Sequence, residues 1–140
     1  ITDAINLKDA FVINIGVKFN ILTKPTANKN EVLTRAIEEV KTFFDIDRWQ
    51  INQPIVMSDL VYKLSLVDGV SGVVPPKEDN LASNPIIITN KYKTADGYSG
   101  NLYDIDSATK NGVIYPSLDP SIFELKFPAS DIEGRVVGDY

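Results

Sequence analysis

Along residues 11–22 apolar and polar positions alternate, with Ile13, Ile15, Val17, Phe19 and Ile21 set against Asn14, Gly16, Lys18 and Asn20. A period of two with β-branched enrichment predicts an antiparallel strand, one face buried and the other wet. Thr23-Lys24-Pro25-Thr26 ends it, because proline has no N–H to give to a ladder. The period then lengthens. Val32, Leu33, Ala36, Ile37, Val40, Phe43 and Phe44 recur at helical spacing, while Glu31, Arg35, Glu38, Glu39, Lys41 and Thr42 take the opposite face. This predicts an amphipathic helix with its apolar stripe on the core, Asn28 or Asn30 as its cap, and Glu31 near the positive end of its dipole. A second, shorter helix is expected after the linker 45–50, with Ser58 as cap, Asp59 in the first turn, Leu60, Val61, Leu64 and Val67 facing inward, and an exit at Asp68-Gly69. Val70-Ser71-Gly72-Val73-Val74 reads as a strand ended by Pro75-Pro76. The fold class that follows is α+β: a small two-layer strand-helix-helix-strand unit in which two helices cover one face of a sheet.

Beyond it the pattern loosens. Residues 77–85 are rich in Lys, Glu, Asp, Asn, Ser and Pro and read as a linker or exposed loop. Short β candidates follow at Ile86–Thr89, Asn101–Ile105, Val113–Tyr115 and Ile122–Phe127, with Asn111-Gly112 as a tight-turn signal. The chain thus divides into a module at 1–76 and a β-rich, loop-heavy C-terminal portion at 77–140, either as two units or as one continuous domain. The segment Ile122–Phe127 sets Ile122, Glu124 and Lys126 against Phe123, Leu125 and Phe127. Both faces carry bulk, so something must cover at least one of them, either this domain or a neighbour. Ile122, Phe123, Leu125 and Phe127, with Tyr103 and Tyr115, are therefore candidate protein-interface residues. Trp49, beside the two helices, reads as core ahead of an interface anchor.

Composition narrows the chemistry. The 140 residues contain no cysteine and no histidine, which excludes disulfides, thiolate metal sites and cysteine nucleophiles. It also removes the side chain most used for proton transfer near neutral pH. Net charge is −5, and most of the excess acid lies after residue 75; with no basic cluster interleaved with aromatics, nucleic acid and anionic membranes are disfavoured partners. No apolar run approaches the roughly 20 residues that span a bilayer, no signal segment opens the chain, and a start at Ile1 reads as a piece of a longer protein. Asp104-Ile105-Asp106 and Asp45-Ile46-Asp47 are the close carboxylate pairs that could suggest a hard-cation site. The first lacks the third oxygen ligand and the glycine of a calcium loop, so solvated aspartates flanking an inward Ile105 are the reading. Asp68-Gly69-Val70-Ser71-Gly72 misses the nucleophile-elbow pattern and has no histidine to activate its serine. No catalytic, cofactor or metal residues are assigned, and the chain reads as not an enzyme. A carbohydrate-active module using two of the Asp or Glu side chains, or a sugar-binding module using the tyrosines, is the alternative.

The strand around Ile13-Asn14-Ile15-Gly16-Val17-Lys18-Phe19, the helix ending Val40-Lys41-Thr42-Phe43-Phe44, then Met57-Ser58-Asp59-Leu60 and Val67-Asp68-Gly69-Val70, together resemble the C-terminal module of the baseplate J-like family. The S-D-L…V-x-G-V step carries most of the specificity. These are structural proteins of contractile phage tails and related injection machines. The resemblance implies a scaffold: wedges joining into a ring through self-association and contacts with other wedge proteins, located in the virion's tail baseplate and in the host cytoplasm during assembly. It implies no catalytic residues. Gly69 and Val70 match the family motif in a structural role, ending the helix and letting the strand turn back.

Overall fold

The computed structural model describes residues 11–45, 49–74, 86–117 and 120–139. The chain is α+β. Its spine is β1 (Phe11–Thr23), thirteen residues long, with α1 (Lys29–Phe43), β2 (Ile55–Val56), α2 (Met57–Ser65) and β3 (Val70–Val74) following in order. After residues 75–85, which lie outside the described residues, come β4 (Ile86–Asn90), α3 (Ile105–Ala108), β5 (Thr109–Lys110), β6 (Val113–Ile114), β7 (Ser121–Glu124), α4 (Pro128–Asp131) and β8 (Ile132–Asp139). The expected linker 77–85 and the Pro75-Pro76 stop lie in that undescribed stretch.

Every strand of the main sheet pairs with β1. On one edge β4 lies antiparallel to Ile15–Phe19 and β3 antiparallel to Asn20–Thr23. On the other, β7 and then β8 run parallel to Phe11–Asn14 and Val17–Thr23. The backbone assigns these edges: Phe11 donates to Pro120 beside β7, whereas the Asn14 carbonyl accepts from Lys91 just past β4. The segments 1–76 and 77–140 therefore share one sheet, and their buried side chains form one core cluster.

Ile13, Ile15, Val17, Phe19 and Ile21 are all buried, as the alternation requires. Helix α1 covers this face with Val32, Ala36 and Val40, and its cap is Asn28, whose Oδ1 accepts the Glu31 N–H at 3.2 Å. Gly134 of β8 sits where a Cβ would lie 2.5 Å from the Phe19 ring and 3.0 Å from Leu33, so α1 packs directly down onto β8. At the exit of α2, Gly69 holds φ +95° and a Cβ there would lie 2.4 Å from Val32. Both the backbone sign and the space demand glycine.

Three expectations are corrected. The second helix starts at Met57, not after a Ser58 cap: Val56 occupies the cap position without a side-chain bond, and the Met57 N–H donates to Gly112 at 2.9 Å. A tertiary carbonyl does the work of a capping side chain. Asn101–Ile105 is not a strand. Residues 101–104 carry no regular structure, and Asp104 caps the short helix α3 by accepting the Ser107 N–H. Ile105 still points inward and both aspartates outward. Finally, the polar face of β1 is not simply wet, since Asn14 and Asn20 are buried. The Asn111-Gly112 turn is present, both residues at positive φ, and joins β5 to β6. Trp49 is core, clustered with Phe43 and Phe44 at centroid distances of 5.6 and 5.0 Å.

Candidate functional site

The six residues nominated from sequence separate by burial. Ile122, Phe123 and Leu125 lie in this chain's own core, as part of and just beyond β7 against β1. This is a correction: the bulk on both faces of that segment is covered from within, so these three do not form part of the described surface. Phe127 is 37 % exposed and Tyr115 47 %. Tyr103 is partly buried, its ring edge-on to Phe123 at 6.1 Å and its hydroxyl donating to the Tyr115 carbonyl. Burial raises the Tyr103 phenol above its ordinary range.

Around these residues the structure displays apolar side chains held by rigid neighbours. Leu102, 67 % exposed, lies between Asn101, whose amide donates to the Val12 carbonyl at 2.8 Å, and Tyr103, whose N–H donates to Asn90 Oδ1 at 2.9 Å. Leu102 is thus fixed from both sides, and Tyr103 ties it to Tyr115. A second exposed pair, Tyr62 and Leu66, stands one turn apart at the end of α2. A third position is Phe127, edge-on to Tyr98 at 5.4 Å.

Sequence reasoning missed the polar knot beneath the loops. The Asn14 amide donates to Glu124 at 2.7 Å, and its Oδ1 accepts the Ser99 N–H at 2.8 Å. Its backbone carbonyl takes the Asn90 amide at 3.0 Å as well as the Lys91 N–H at 2.8 Å. Nearby, the buried Asp131 accepts the Tyr98 hydroxyl at 2.5 Å. That hydrogen bond, with burial and the negative charges of Asp131 and Asp96, pushes the Tyr98 phenol up to about 12. Asn14 could have been singled out only by knowing that Glu124 and Ser99 lie beside it; each is far away in the chain.

Between the end of α1 and the β7–α4 connection lies an open groove of about 330 Å³, lined by Glu38, Lys41, Phe44, Asp45, Glu124 and Lys126 among others. Its acids are interleaved with two lysines, and Glu124 is already engaged by Asn14. Such a mixed lining suits polar protein contacts better than a carboxylate pair with one acid kept in an apolar pocket. Among the described residues no group of three acidic side chains is placed to hold a metal ion. No helix of the described residues is long and apolar enough to cross a membrane.

No family model, curated protein or solved structure matches this chain.

Proposed function

We propose that this chain is an assembly module of a contractile phage tail baseplate, holding wedges in a ring through contacts with itself and with other wedge proteins, as the C-terminal part of the T-even phage wedge protein does in the resemblance drawn from its sequence. It acts in the virion's tail baseplate after assembly in the host cytoplasm, as a structural component and not as an enzyme. The observation that carries the reading is the Leu102–Tyr103–Tyr115 surface. The residues on either side of its exposed leucine are bonded to Val12 and Asn90, and the Tyr103 hydroxyl holds the backbone carbonyl of the exposed Tyr115. Apolar and aromatic side chains carried on a backbone already held before binding cost less to order on association, which suits interface anchors.

Sedimentation velocity across a concentration series, alone and with candidate wedge proteins, tests this. Concentration-dependent association that weakens at least about tenfold in Leu102→Asp, against about 1.4 kcal/mol per tenfold change, is expected. A chain that stays monomeric at every concentration and binds no wedge protein refutes the proposal. The alternative, a sugar-active or sugar-binding tail module, predicts instead a tyrosine or tryptophan fluorescence change on adding glycans.

A further inference from the structure

The segment 91–103 crosses the β4 edge of β1 just where ladder pairing to β4 has stopped, beyond Ile15. It does not form a strand there. In place of a ladder, the Val12 carbonyl accepts from two side chains, Ser99 Oγ and Asn101 Nδ2, each at 2.8 Å. The Ser99 N–H goes to the Asn14 side chain at 2.8 Å. No residue from Tyr92 to Leu102 is buried, and only Tyr98 and Asn101 are even partly so. As far as Gly100 the segment is therefore held by polar bonds, with little apolar burial to resist its lifting, whereas Tyr103 at its end packs on Phe123.

The strongest of these bonds lie at one place. The Tyr98 hydroxyl donates to Asp131 Oδ1 at 2.5 Å, a bond to a carboxylate that is buried beneath the segment. The Tyr98 ring packs edge-on to Phe127 at 5.4 Å, and Lys126 Nζ donates to the Gly97 carbonyl at 2.5 Å. Neutral donors on a charged acceptor make stronger bonds than neutral pairs do. When the segment lifts, water replaces these donors on Asp131 and Asn14, so no buried group is left unsatisfied and the sheet can stay folded.

We infer that residues 92–100 form a strap over the edge of β1 that opens as a unit while the sheet stays folded, with the Tyr98–Asp131 bond as its latch. Opening releases the Asn14 side chain and one of the two bonds on the Val12 carbonyl. This is a conformational device distinct from the Leu102 contact surface, which lies past the strap's end, where Asn101 and Tyr103 stay bonded to Val12 and Asn90.

Native-state hydrogen exchange on the full chain, resolved by residue, tests it. The strap amides of Tyr98 and Ser99 are expected to exchange at least about a hundredfold faster than those of Val17 and Phe19, and by an opening insensitive to low denaturant. Tyr98→Phe keeps the ring and removes the hydroxyl. It is expected to speed the strap amides by roughly tenfold or more while leaving Val17 and Phe19 unchanged. Strap amides that exchange in step with Val17 and Phe19 in the unaltered chain overturn the inference without any variant. A Tyr98→Phe chain with unchanged strap exchange, or with all amides accelerated equally, overturns the latch.

Discussion

Excision of residues 75–85, joining Val74 directly to Ile86, leaves the main sheet intact on the register of β1. Asn20 is paired with Val74 and the preceding residue, Phe19, is paired with Ile86. Partners of consecutive residues stand about 3.4 Å apart along a strand, close to the 3.8 Å between Cα atoms across one trans peptide. β3 and β4 are thus one antiparallel strand interrupted at a single step. Side-chain alternation also survives the join, with Val74 on the Asn20 face and Ile86 buried on the Phe19 face. Chain-closure entropy for roughly 11 residues amounts to at most about 2 kcal/mol, which bounds what excision can return. Thermal unfolding followed by circular dichroism is expected to stay cooperative, with Tm unchanged to about 5 °C higher. Removing one residue more, 75–86, is the control: it sets Ile87 opposite Phe19 and Thr89 opposite Val17, so a threonine enters the core position of Ile88. That variant loses about 2 kcal/mol or more. An excision of 75–85 that unfolds the chain, or is no more stable than the 75–86 control, refutes the continuous-strand reading.

Gly69→Ala forces a Cβ into a left-handed backbone against Val32; strain of about 1–2 kcal/mol and overpacking of about 1–3 kcal/mol add to a loss measurable by urea denaturation, and a second change, Val32→Ala, is expected to return the steric part only. Asn14→Leu strips the amide bonds that serve Glu124 and the Ser99 N–H and is expected to cost about 2 kcal/mol or more by the same assay; a neutral result would mean that water already serves these groups. In an absorbance titration one tyrosine, Tyr98, is expected to ionise only near 12, and Asp131→Asn to bring it back toward 10. The fold favours the neutral phenol, whose folded pKa is raised, so the stabilisation from this bond is complete below about pH 10 and disappears as pH rises through about 12.

Legibility from sequence followed how local each signal is. β1 and α1 announce themselves, because a two-residue period over a dozen positions and a helical period over four turns are set by near neighbours alone. Gly69 was legible for the same reason, as the end of a helix. β8 was not, though eight residues long. Its sequence, Ile-Glu-Gly-Arg-Val-Val-Gly-Asp, carries two glycines that weaken strand pattern, and Gly134 is there because Phe19 and Leu33 leave no room for a side chain. That reason lies in a strand more than a hundred residues earlier. The same holds for Asn14: on a strand with polar alternation it reads as solvated, and only the arrival of Glu124 and the strap buries it. The strand read at Asn101–Ile105 failed because its asparagine and aspartate side chains bond to backbone in place of a ladder.

These errors share a cause in the way β1 is paired. Each of its edges carries a partner that is interrupted: β3 to β4 across residues 75–85, and β7 to β8 across residues 125–131, where the pairing leaves at Asn14–Glu124 and resumes at Val17–Ile132. The spine and its paired segments hold the core, including Phe123, Ile122 and Ile86. Phe127, Leu102 and Tyr115 are exposed and fall outside the paired strands of the main sheet, while Leu125, Ile105 and Ile114 in the same stretches turn inward. A segment that leaves and rejoins a strand in register can change in length or sequence without disturbing the alternation on either side, whereas a change within β1 shifts a side chain on every paired strand. Part of the exposed apolar surface therefore lies where the strand partners break, alongside Phe11 and Val137 on the paired strands and Tyr62 and Leu66 at α2, and the Ile122–Phe127 stretch shows the division within one segment: Ile122 and Phe123 on β7 and Leu125 just past it belong to the core, and Phe127 to the surface.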